Sequence, residues 1–353
     1  MTTMMKAYRV VEWGHRPEFV DVPVPSPGPG EVLIRMRGAG LCRSDIDIMD
    51  QRADDEPYAC VLPANFTLGH ENAGVVEAMG SGVSDLAVGE GVVVHHMHSC
   101  GFCDFCMHGI EQSCTTFARG AVSFTRGVGI DGGLAPFLLA PRHELVSIGN
   151  LDPVQVAPLT DAGVTAYRAV QSVIDRLRPG STAVVIGIGG LGSFGIQFVK
   201  LMSTARIFAL DVVPTRLELA RTLGADEVIT SDARAAERIM DLTHGRGADA
   251  ILDFVGSDAT LSLAAKVSRP QGRIVLVGME GGTLNVGWGK MATSCEFAIS
   301  MGSTRADLGA VCQLAAEGRL RIELERFRFD EVENAYARLR AGSLAGRAVV
   351  TFD

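Results

Sequence analysis

Apolar residues follow two different patterns along the chain, and the change comes near residue 157. Before that point they form short runs separated by frequent turns, including a proline- and glycine-rich turn at 23–30, and helix signals are scarce. Short apolar runs bounded by such turns are typical of β-strands. We therefore predict a mostly-β first domain with strands near 6–12, 31–37, 74–79 and 91–95.

After residue 158, predicted strands alternate with predicted helices, a pattern typical of βαβ units on a parallel sheet. Pro214 and Gly224 frame one of these helices at its start and just past its end. The strands are mostly continuous apolar runs, as a sheet covered on both faces requires. They are predicted at 182–186, 206–210, 227–230, 248–254 and 273–277.

The last part of the chain predicts an edge strand after Phe297, a helix at 306–317 and a return at 346–350 that rejoins the first domain. We therefore predict an α/β protein of two domains. The first domain takes residues 1–156 and 299–353, and a doubly wound parallel-sheet domain takes residues 157–298.

Charge and composition narrow the possible partners. The chain has 353 residues, and its 32 basic against 41 acidic side chains give a net charge of −9. This balance offers no cationic excess for nucleic acid or an anionic membrane, so we expect neither as a partner. The first 11 residues contain charges and lack the apolar segment of a signal peptide, which favours a cytoplasmic protein.

A glycine motif in the second half predicts dinucleotide binding. It follows the apolar strand that ends at Ile186 and precedes a predicted helix, the context in which a pyrophosphate binds at a helix N-terminus. Asp211 comes 19 residues after the last glycine, where a carboxylate binds the adenosine ribose and repels a 2'-phosphate. NAD is therefore expected over NADP, although Arg216 is close enough to tolerate a phosphate. The motif residues are Gly187, Gly189, Gly190, Leu191 and Gly192.

Four cysteines at 100, 103, 106 and 114 predict a metal centre in a lobe at about 96–115. In a reducing compartment such crowding favours metal thiolates over disulfides. Four thiolates close the coordination shell of zinc, so this ion would be structural. An iron–sulfur cluster has a similar ligand count but usually different spacings. The nearby histidines, His95, His96, His98 and His108, are interpreted as loop residues.

Cys42, His70 and Asp161 are a second, dispersed candidate set. Individually they have ordinary interpretations: a buried thiol, a core histidine and a helix cap. The sequences around them, GLCRSD at 40–45, GHE at 69–71 and LTDAGVTAY at 159–167, occur in this order with the four cysteines and the glycine motif. Together they resemble the zinc-dependent medium-chain alcohol dehydrogenases over essentially the whole chain.

The resemblance implies a GroES-like catalytic domain and a Rossmann NAD-binding domain. It also implies that Cys42, His70 and Asp161 hold a catalytic zinc with one open position, giving two zinc ions per chain. The most familiar members have cysteine in place of Asp161, whereas carboxylates occur there in some relatives. One thiolate and one carboxylate neutralise the ion as two thiolates would, so Lewis acidity is retained.

The resemblance assigns roles to further residues of the catalytic site. Asp45 would orient His70, and Glu71 would lie close enough to approach the metal. Ser44 would take the substrate proton and pass it through the nicotinamide ribose. Asp47 stands where several relatives have histidine, so we expect it in the relay only if its pKa is raised, with escape through water as the alternative.

Other implied residues contact the cofactor. Arg43 and Arg347 would hold the pyrophosphate, for which guanidinium groups are suited. Thr165, Val255 and Val277 would pack against the nicotinamide, although they could equally be core residues.

The expected function is reversible hydride transfer between NAD and a secondary or bulky primary alcohol, which gives the ketone or aldehyde. A polyol or sugar dehydrogenase is the alternative, with the acidic segment at 54–56 as a hydroxyl-binding rim or merely a solvated loop. A catalytically silent NAD-binding protein is a third possibility. An apolar edge at 297–301 favours a homodimer or homotetramer.

Overall fold

The computed structural model describes residues 3–52, 55, 58–59, 61–119 and 122–352. The chain forms two compact units, Met1–Val164 with Gly302–Asp353, and Thr165–Met301. The first division falls later than residue 156 because the helix Pro153–Val156 and the 3-10 helix Ala157–Thr160 pack against strands of the first unit.

The first unit is mostly β-structure. Its strands before residue 150 are β1 (Met4–Val10), β2 (Glu18–Pro23), β3 (Glu31–Gly40), β4 (Phe66–Thr67), β5 (Glu71–Met79), β6 (Gly91–Val94), β7 (Ala118–Arg119), β8 (Val122–Ser123), β9 (Thr125–Arg126), β10 (Gly129–Ile130), β11 (Phe137–Pro141) and β12 (Leu145–Ser147). The second unit contains β13 (Thr182–Ile186), β14 (Arg206–Asp211), β15 (Glu227–Thr230), β16 (Ala248–Asp253), β17 (Ser268–Leu276) and β18 (Glu296–Ile299). The chain then returns to the first unit with β19 (Leu324–Arg328) and β20 (Arg347–Thr351).

Helices connect these strands. They are α1 (Arg43–Met49), α2 (Asp104–Met107), α3 (Pro153–Val156), α4 (Ala162–Gln171), α5 (Gly192–Met202), α6 (Pro214–Leu223), α7 (Ala235–Leu242), α8 (Asp258–Val267), α9 (Arg305–Ala316) and α10 (Val332–Arg340). Further 3-10 helices cover Glu111–Ser113, Arg142–Glu144, Ile174–Arg176 and Phe329–Glu331. Within the described ranges, no helix has the length and apolar composition needed to cross a bilayer.

Strand β3 organises the first unit. It lies in a seven-stranded sheet of order β12-β6-β5-β3-β20-β19, in which β11 also pairs with β3. Strand β5 pairs antiparallel along one edge of β3, while β11 and β20 share the other edge. Val32, Ile34 and Met36 point from β3 into the buried core. The pairing with β20 confirms that the end of the chain rejoins the first domain.

The second unit is a six-stranded parallel sheet of order β15-β14-β13-β16-β17-β18. The strand order reverses direction between β13 and β16, which makes the sheet doubly wound, as predicted. Helix α6 begins at Pro214 and is followed by Gly224 at φ 108°, so both predicted boundaries are confirmed.

Candidate active site and metal centres

The dispersed candidates Cys42, His70 and Asp161 come together at one end of the first unit's large sheet. Cys42 follows β3 and His70 precedes β5; these strands are antiparallel neighbours, with Gly40 opposite Glu71. Asp161 comes between the 3-10 helix Ala157–Thr160, which packs on both strands, and α4. One ligand atom from each of the three residues lies within 4.8 Å of the other two.

Charge and hydrogen bonding in this triad fit a cation. His70 Nε2 is 3.3 Å from Asp161 Oδ2, and both side chains are largely buried. Burial lowers the pKa of His70, but the charge of Asp45 and hydrogen bonds to Asp161, Asp45 and Cys42 raise it well above its usual value. Burial raises the pKa of Asp161, but the hydrogen bond and charge of His70 outweigh it and hold this pKa well below its usual range. The thiol, imidazole and carboxylate are therefore zinc-type donors in surroundings that favour positive charge.

Asp45 lies against the His70 ring, the position that the resemblance implies for a residue that would orient it. Its Oδ1 lies 2.9 Å from His70 Nδ1, which leaves Nε2 facing Cys42 and Asp161. Its Oδ2 accepts hydrogen bonds from the Cys42 backbone N–H at 2.9 Å and from the Tyr336 hydroxyl at 3.1 Å. Tyr336 was not among the residues predicted from the sequence, because it is 291 residues away along the chain and becomes a neighbour only through folding.

Glu71 is fully buried behind His70 and pairs with Arg347, which also donates to the Leu41 carbonyl at 3.1 Å. Burial raises the pKa of Glu71 to about 7, although the charge of Arg347 opposes this shift. A Cβ on Gly40 would lie 1.9 Å from Glu71 Oε2, so only glycine leaves room for this carboxylate. Arg347 thus neutralises a buried acid, and its implied contact with the cofactor pyrophosphate stays a prediction.

The proposed relay residues lie on the first turns of α1. Ser44 Oγ is 3.3 Å from His70 Nε2, which places its hydroxyl beside a ligand atom. Burial raises the pKa of Asp47, although the charge of Arg43 opposes this shift. A raised pKa is the condition on which we expected Asp47 in the proton relay. Arg43 is exposed, with Nε 4.0 Å from Asp47 Oδ1.

The four cysteines Cys100, Cys103, Cys106 and Cys114 also come together. Their sulfur atoms lie within 4.8 Å of one another, and two Sγ–Sγ pairs are 3.9 Å apart. Four sulfurs at zinc–thiolate distance in a tetrahedron would be about 3.8 Å apart. The described cysteines form no disulfides. The lobe therefore fits a tetrathiolate metal centre.

The interpretation of His95, His96 and His98 as loop residues missed their buried roles. His95 Nε2 lies 3.1 Å from both the Ser303 carbonyl and hydroxyl oxygens. His96 Nδ1 donates to the Thr160 carbonyl at 2.6 Å, and its Nε2 is 3.9 Å from Asp161 Oδ1. In the sequence, the one sign of this burial was the apolar strand β6, which directly precedes the histidines.

His98 belongs to a buried ionic network that joins the cysteine lobe to the sheet. Glu144 Oε1 is 2.6 Å from His98 Nδ1, and Glu144 Oε2 accepts two hydrogen bonds from Arg126. Burial raises the pKa of Glu144, but Arg126 and His98 outweigh it and lower this pKa to about 2. Neither Glu144 nor Arg126 was among the sequence candidates. His108, in contrast, is exposed beside Asp104.

In the second unit, the predicted glycine turn lies between β13 and α5. Gly187 has φ 84°, which favours glycine, and a Cβ on Gly192 would be 1.9 Å from the Gly187 carbonyl oxygen. Gly189 has open space where its Cβ would point. Helix α5 begins at Gly192 directly after Gly190 and Leu191, and no side chain caps it. Its first N–H groups can therefore bind an anion.

Asp211 ends β14 next to this turn. Its Oδ2 accepts a hydrogen bond from Ile188 N–H at 2.7 Å, and its Oδ1 accepts one from Val213 N–H at 2.9 Å. Arg216 Nη1 lies 3.7 Å from Asp211 Oδ2. The carboxylate is thus held at the motif, and a cation lies beside it.

The remaining cofactor candidates follow neighbouring strands or begin the unit. Val255 is the second residue after β16, and Val277 comes directly after β17. A Cβ on Gly187 would contact Val255. Asp253 supports both segments, because its carbonyl accepts from Val277 N–H at 2.8 Å and its Oδ1 accepts from Val255 N–H at 2.9 Å. Thr165 is buried in α4.

The two halves of the chain match two domain families. Residues 28–150 match the alcohol dehydrogenase GroES-like domain, and residues 190–317 match the zinc-binding dehydrogenase domain. The NAD-dependent alcohol dehydrogenase of Sulfurisphaera tokodaii is 34% identical, over 98% of this chain and 99% of that protein.

Solved structures agree with these matches. The alcohol dehydrogenase of the archaeon Aeropyrum pernix has a TM-score of 0.89 at 32% identity, over 98% of this chain and 100% of that one. The D-arabinose dehydrogenase of Sulfolobus solfataricus has a TM-score of 0.82 at 27% identity, over 99% and 100%. The fold is thus the GroES-like and Rossmann pair of a dehydrogenase. The chain belongs to the zinc-dependent medium-chain alcohol dehydrogenase family.

Proposed function

We propose that this protein is a zinc- and NAD-dependent dehydrogenase that interconverts a secondary or bulky primary alcohol and its ketone or aldehyde. The observation that carries the proposal is the convergence of Cys42, His70 and Asp161, whose ligand atoms lie within 4.8 Å of one another. Three protein ligands are typical of a catalytic zinc site, because tetrahedral coordination then has a position for substrate.

Zinc held by Cys42, His70 and Asp161 would supply Lewis acidity, which would lower the pKa of an alcohol hydroxyl and favour hydride transfer to the nicotinamide of NAD. The chain's own residues prepare this chemistry. Asp45 fixes the His70 ring through Nδ1, and the buried surroundings of His70 and Asp161 strengthen electrostatic interactions.

Ser44 is proposed as the first acceptor of the substrate proton because its hydroxyl lies beside His70 Nε2. Asp47 is one turn further along α1 and half-exposed, so it can exchange protons with water. Its raised pKa makes it a better proton acceptor near neutral pH than an ordinary aspartate.

NAD is proposed over NADP because Asp211 is fixed at the glycine turn by two backbone hydrogen bonds. Arg43, Arg347, Thr165, Val255 and Val277 keep their proposed cofactor contacts. In Asp211→Ala we expect the ratio of kcat/KM for NAD to that for NADP to fall, because Arg216 would remain without its acidic neighbour. An unchanged ratio would remove Asp211 from cofactor selection.

Two zinc ions per chain are proposed, one in the triad and one among the four cysteines. The tetrathiolate site needs reduced cysteines, which supports a reducing compartment such as the cytoplasm.

A sugar or polyol substrate is the second candidate, favoured by the similarity to the D-arabinose dehydrogenase. Asp54 and Glu56, the ends of the acidic segment invoked for such substrates, lie outside the described residues. Asp55 accepts a hydrogen bond from the Arg52 N–H at 2.7 Å and therefore stabilises its own loop.

A substrate panel tests the function and separates the two candidates. Phenylethanol-like alcohols and sorbitol- or arabinose-like polyols would be compared with NAD, while NADH formation is followed. We expect higher kcat/KM for the alcohols. Polyol preference would favour the second candidate, and no turnover of either class would contradict the proposed function.

We also propose a homodimer or homotetramer formed through β18. This strand pairs only with β17 among the described residues, and Ile299 and Met301 are exposed apolar side chains at its end. An Ile299→Lys variant would be expected to dissociate in light scattering, whereas a monomeric wild type would contradict the assignment.

A further inference from the structure

Helix α10 sends one buried polar side chain towards the metal-binding triad. Tyr336 is 5% exposed, and its hydroxyl donates to Asp45 Oδ2 at 3.1 Å. Burial and the charge of Asp45 raise the pKa of Tyr336 well above its usual value, so the hydroxyl stays protonated and remains a donor.

The accepting carboxylate connects two of the three ligands. Asp45 Oδ2 also accepts from the Cys42 N–H at 2.9 Å, while Oδ1 lies 2.9 Å from His70 Nδ1. A rotation of this carboxylate would therefore move the backbone contact of Cys42 and the ring of His70 together. The Tyr336 hydroxyl donates to the same oxygen as Cys42 N–H and opposes such a rotation.

The surrounding packing keeps the hydroxyl in place. Tyr336 and Arg340 are one turn apart on α10 and lie on one face of it. Arg340 forms two hydrogen bonds, at 2.6 and 2.8 Å, with Asp50 directly after α1. Tyr8 stacks on Tyr336, with ring centroids 6.3 Å apart.

We propose that Tyr336 is a positioning residue of the catalytic metal centre, which acts by holding the Asp45 carboxylate that orients His70 and the Cys42 backbone. This proposal rests on the proposed function, since it concerns the same metal site. The Tyr336 hydroxyl donates to Asp45, which is not one of the three proposed ligands, so its expected effect is on metal affinity and ligand geometry.

Tyr336→Phe removes the hydroxyl and keeps the ring. Outer-shell partners of metal ligands typically contribute 10- to 100-fold to metal affinity, so a donor one step further out should contribute about tenfold or less. Tyr8→Phe is the matched control, because it removes a hydroxyl from the stacked ring that does not donate to Asp45.

The measurement is zinc affinity of the full chain in competition with a chromophoric chelator. Zinc binding by the full chain should have two components, one from each centre. The component that is lost in Asp161→Ala, which lacks one of the three proposed ligands, belongs to the catalytic site. We expect the zinc affinity of this component to weaken about tenfold in Tyr336→Phe and to stay unchanged in Tyr8→Phe, because it is the Tyr336 hydroxyl that donates to Asp45. The tetrathiolate component should be the same in both variants.

Asp45→Asn provides the second arm. If the hydroxyl acts through the Asp45 carboxylate, adding Tyr336→Phe to Asp45→Asn should weaken zinc binding less than it does in the wild type. If Tyr336→Phe lowers zinc affinity equally in both backgrounds, or not at all in the wild type, the positioning role of Tyr336 is overturned but the proposed function is not. If no zinc component of the wild type depends on Asp161, the proposed function fails as well.

Discussion

The two cysteine-containing centres of the first unit are built in opposite ways. The lobe collects four sulfurs from residues 100–114, and several of its side chains are exposed, including Phe102 and Met107 at 71% and 70%. The triad takes its ligands from Cys42, His70 and Asp161, and its supporting residues are buried. A centre with four local ligands can fold around its ion, whereas a centre with three distant ligands needs the fold to assemble it.

The supporting residues show the same contrast. Backbone amides of the lobe point at its own sulfurs, such as Cys103 N–H to Cys100 Sγ at 3.2 Å. The triad instead lies among side chains that combine near and distant segments. Asp45 and Glu71 are close in sequence to Cys42 and His70, but they pair with Tyr336 of α10 and Arg347 of β20. We therefore expect substitutions in the triad to affect mainly activity, and substitutions in the lobe to affect mainly stability.

The largest expected effect is the loss of activity in Asp161→Ala. Without one of its three proposed ligands, the catalytic ion should be lost or displaced, together with Lewis-acid stabilisation worth several kcal/mol. The value of kcat/KM should therefore fall about a thousandfold or more. Zinc content should fall from two ions per chain to one. Steady-state kinetics and metal analysis provide the measurement.

Asp85→Ala is the matched control for that variant, because Asp85 is an exposed carboxylate paired with Arg142 in the same unit. It should retain both activity and zinc. If Asp161→Ala kept wild-type turnover, the triad would not be the catalytic centre.

The opposite behaviour is expected for Cys106→Ser in the lobe. The variant should lose one zinc ion and about 10 °C in Tm, since each kcal/mol moves the Tm of a domain of this size by about 2–4 °C. Its kcat at low temperature should change much less than in Asp161→Ala. Calorimetry and activity assays at 20 °C would check this. A loss of activity without a decrease in Tm would contradict the expectation that the lobe contributes mainly to stability.

The two centres differ in how much of each could be predicted from the sequence. Local spacing was sufficient for the lobe, because its ligands and their supporting amides lie in one short segment. The triad could be identified only through resemblance to a family, since no spacing rule joins positions 42, 70 and 161. The strands of the second unit were predicted closely, because continuous apolar runs and helix boundaries are local signals, as β13 and β15 show.

Three buried polar partners were not predicted, whereas Asp45 and Glu71 were identified through the resemblance to a family. Tyr336, Glu144 and Arg126 lie in segments with no motif, and their roles arise from contacts between distant elements. His95 and His96 lie outside the strands and helices, as their interpretation as loop residues implies. Their burial was missed for the same reason, because it arises from their neighbours in the fold.

The smallest expected effect concerns His95, which lies on the segment that leads from the buried sheet to the lobe. Burial and the neighbouring His96 lower the pKa of His95 to about 3, so the folded protein keeps it neutral. An unfolded histidine has a pKa near 6.5, so below about that pH the unfolded state binds more protons. Stability from neutral His95 is therefore complete above about pH 6.5 and is lost as the pH falls towards the folded value.

Between pH 7 and pH 5 the titration of His95 should lower the free energy of unfolding of the wild type by about 2 kcal/mol. The His95→Asn variant lacks this group and should not show this decrease. We expect the Tm difference between the two proteins to shift by about 5 °C over this range, in favour of the variant at low pH. Acid effects on the metal centres cancel in the difference because both proteins contain them. His15→Asn, at a position with a 70% exposed side chain, is the control and should track the wild type. Parallel Tm curves for wild type and His95→Asn would show that the segment joining the two centres tolerates a charged histidine.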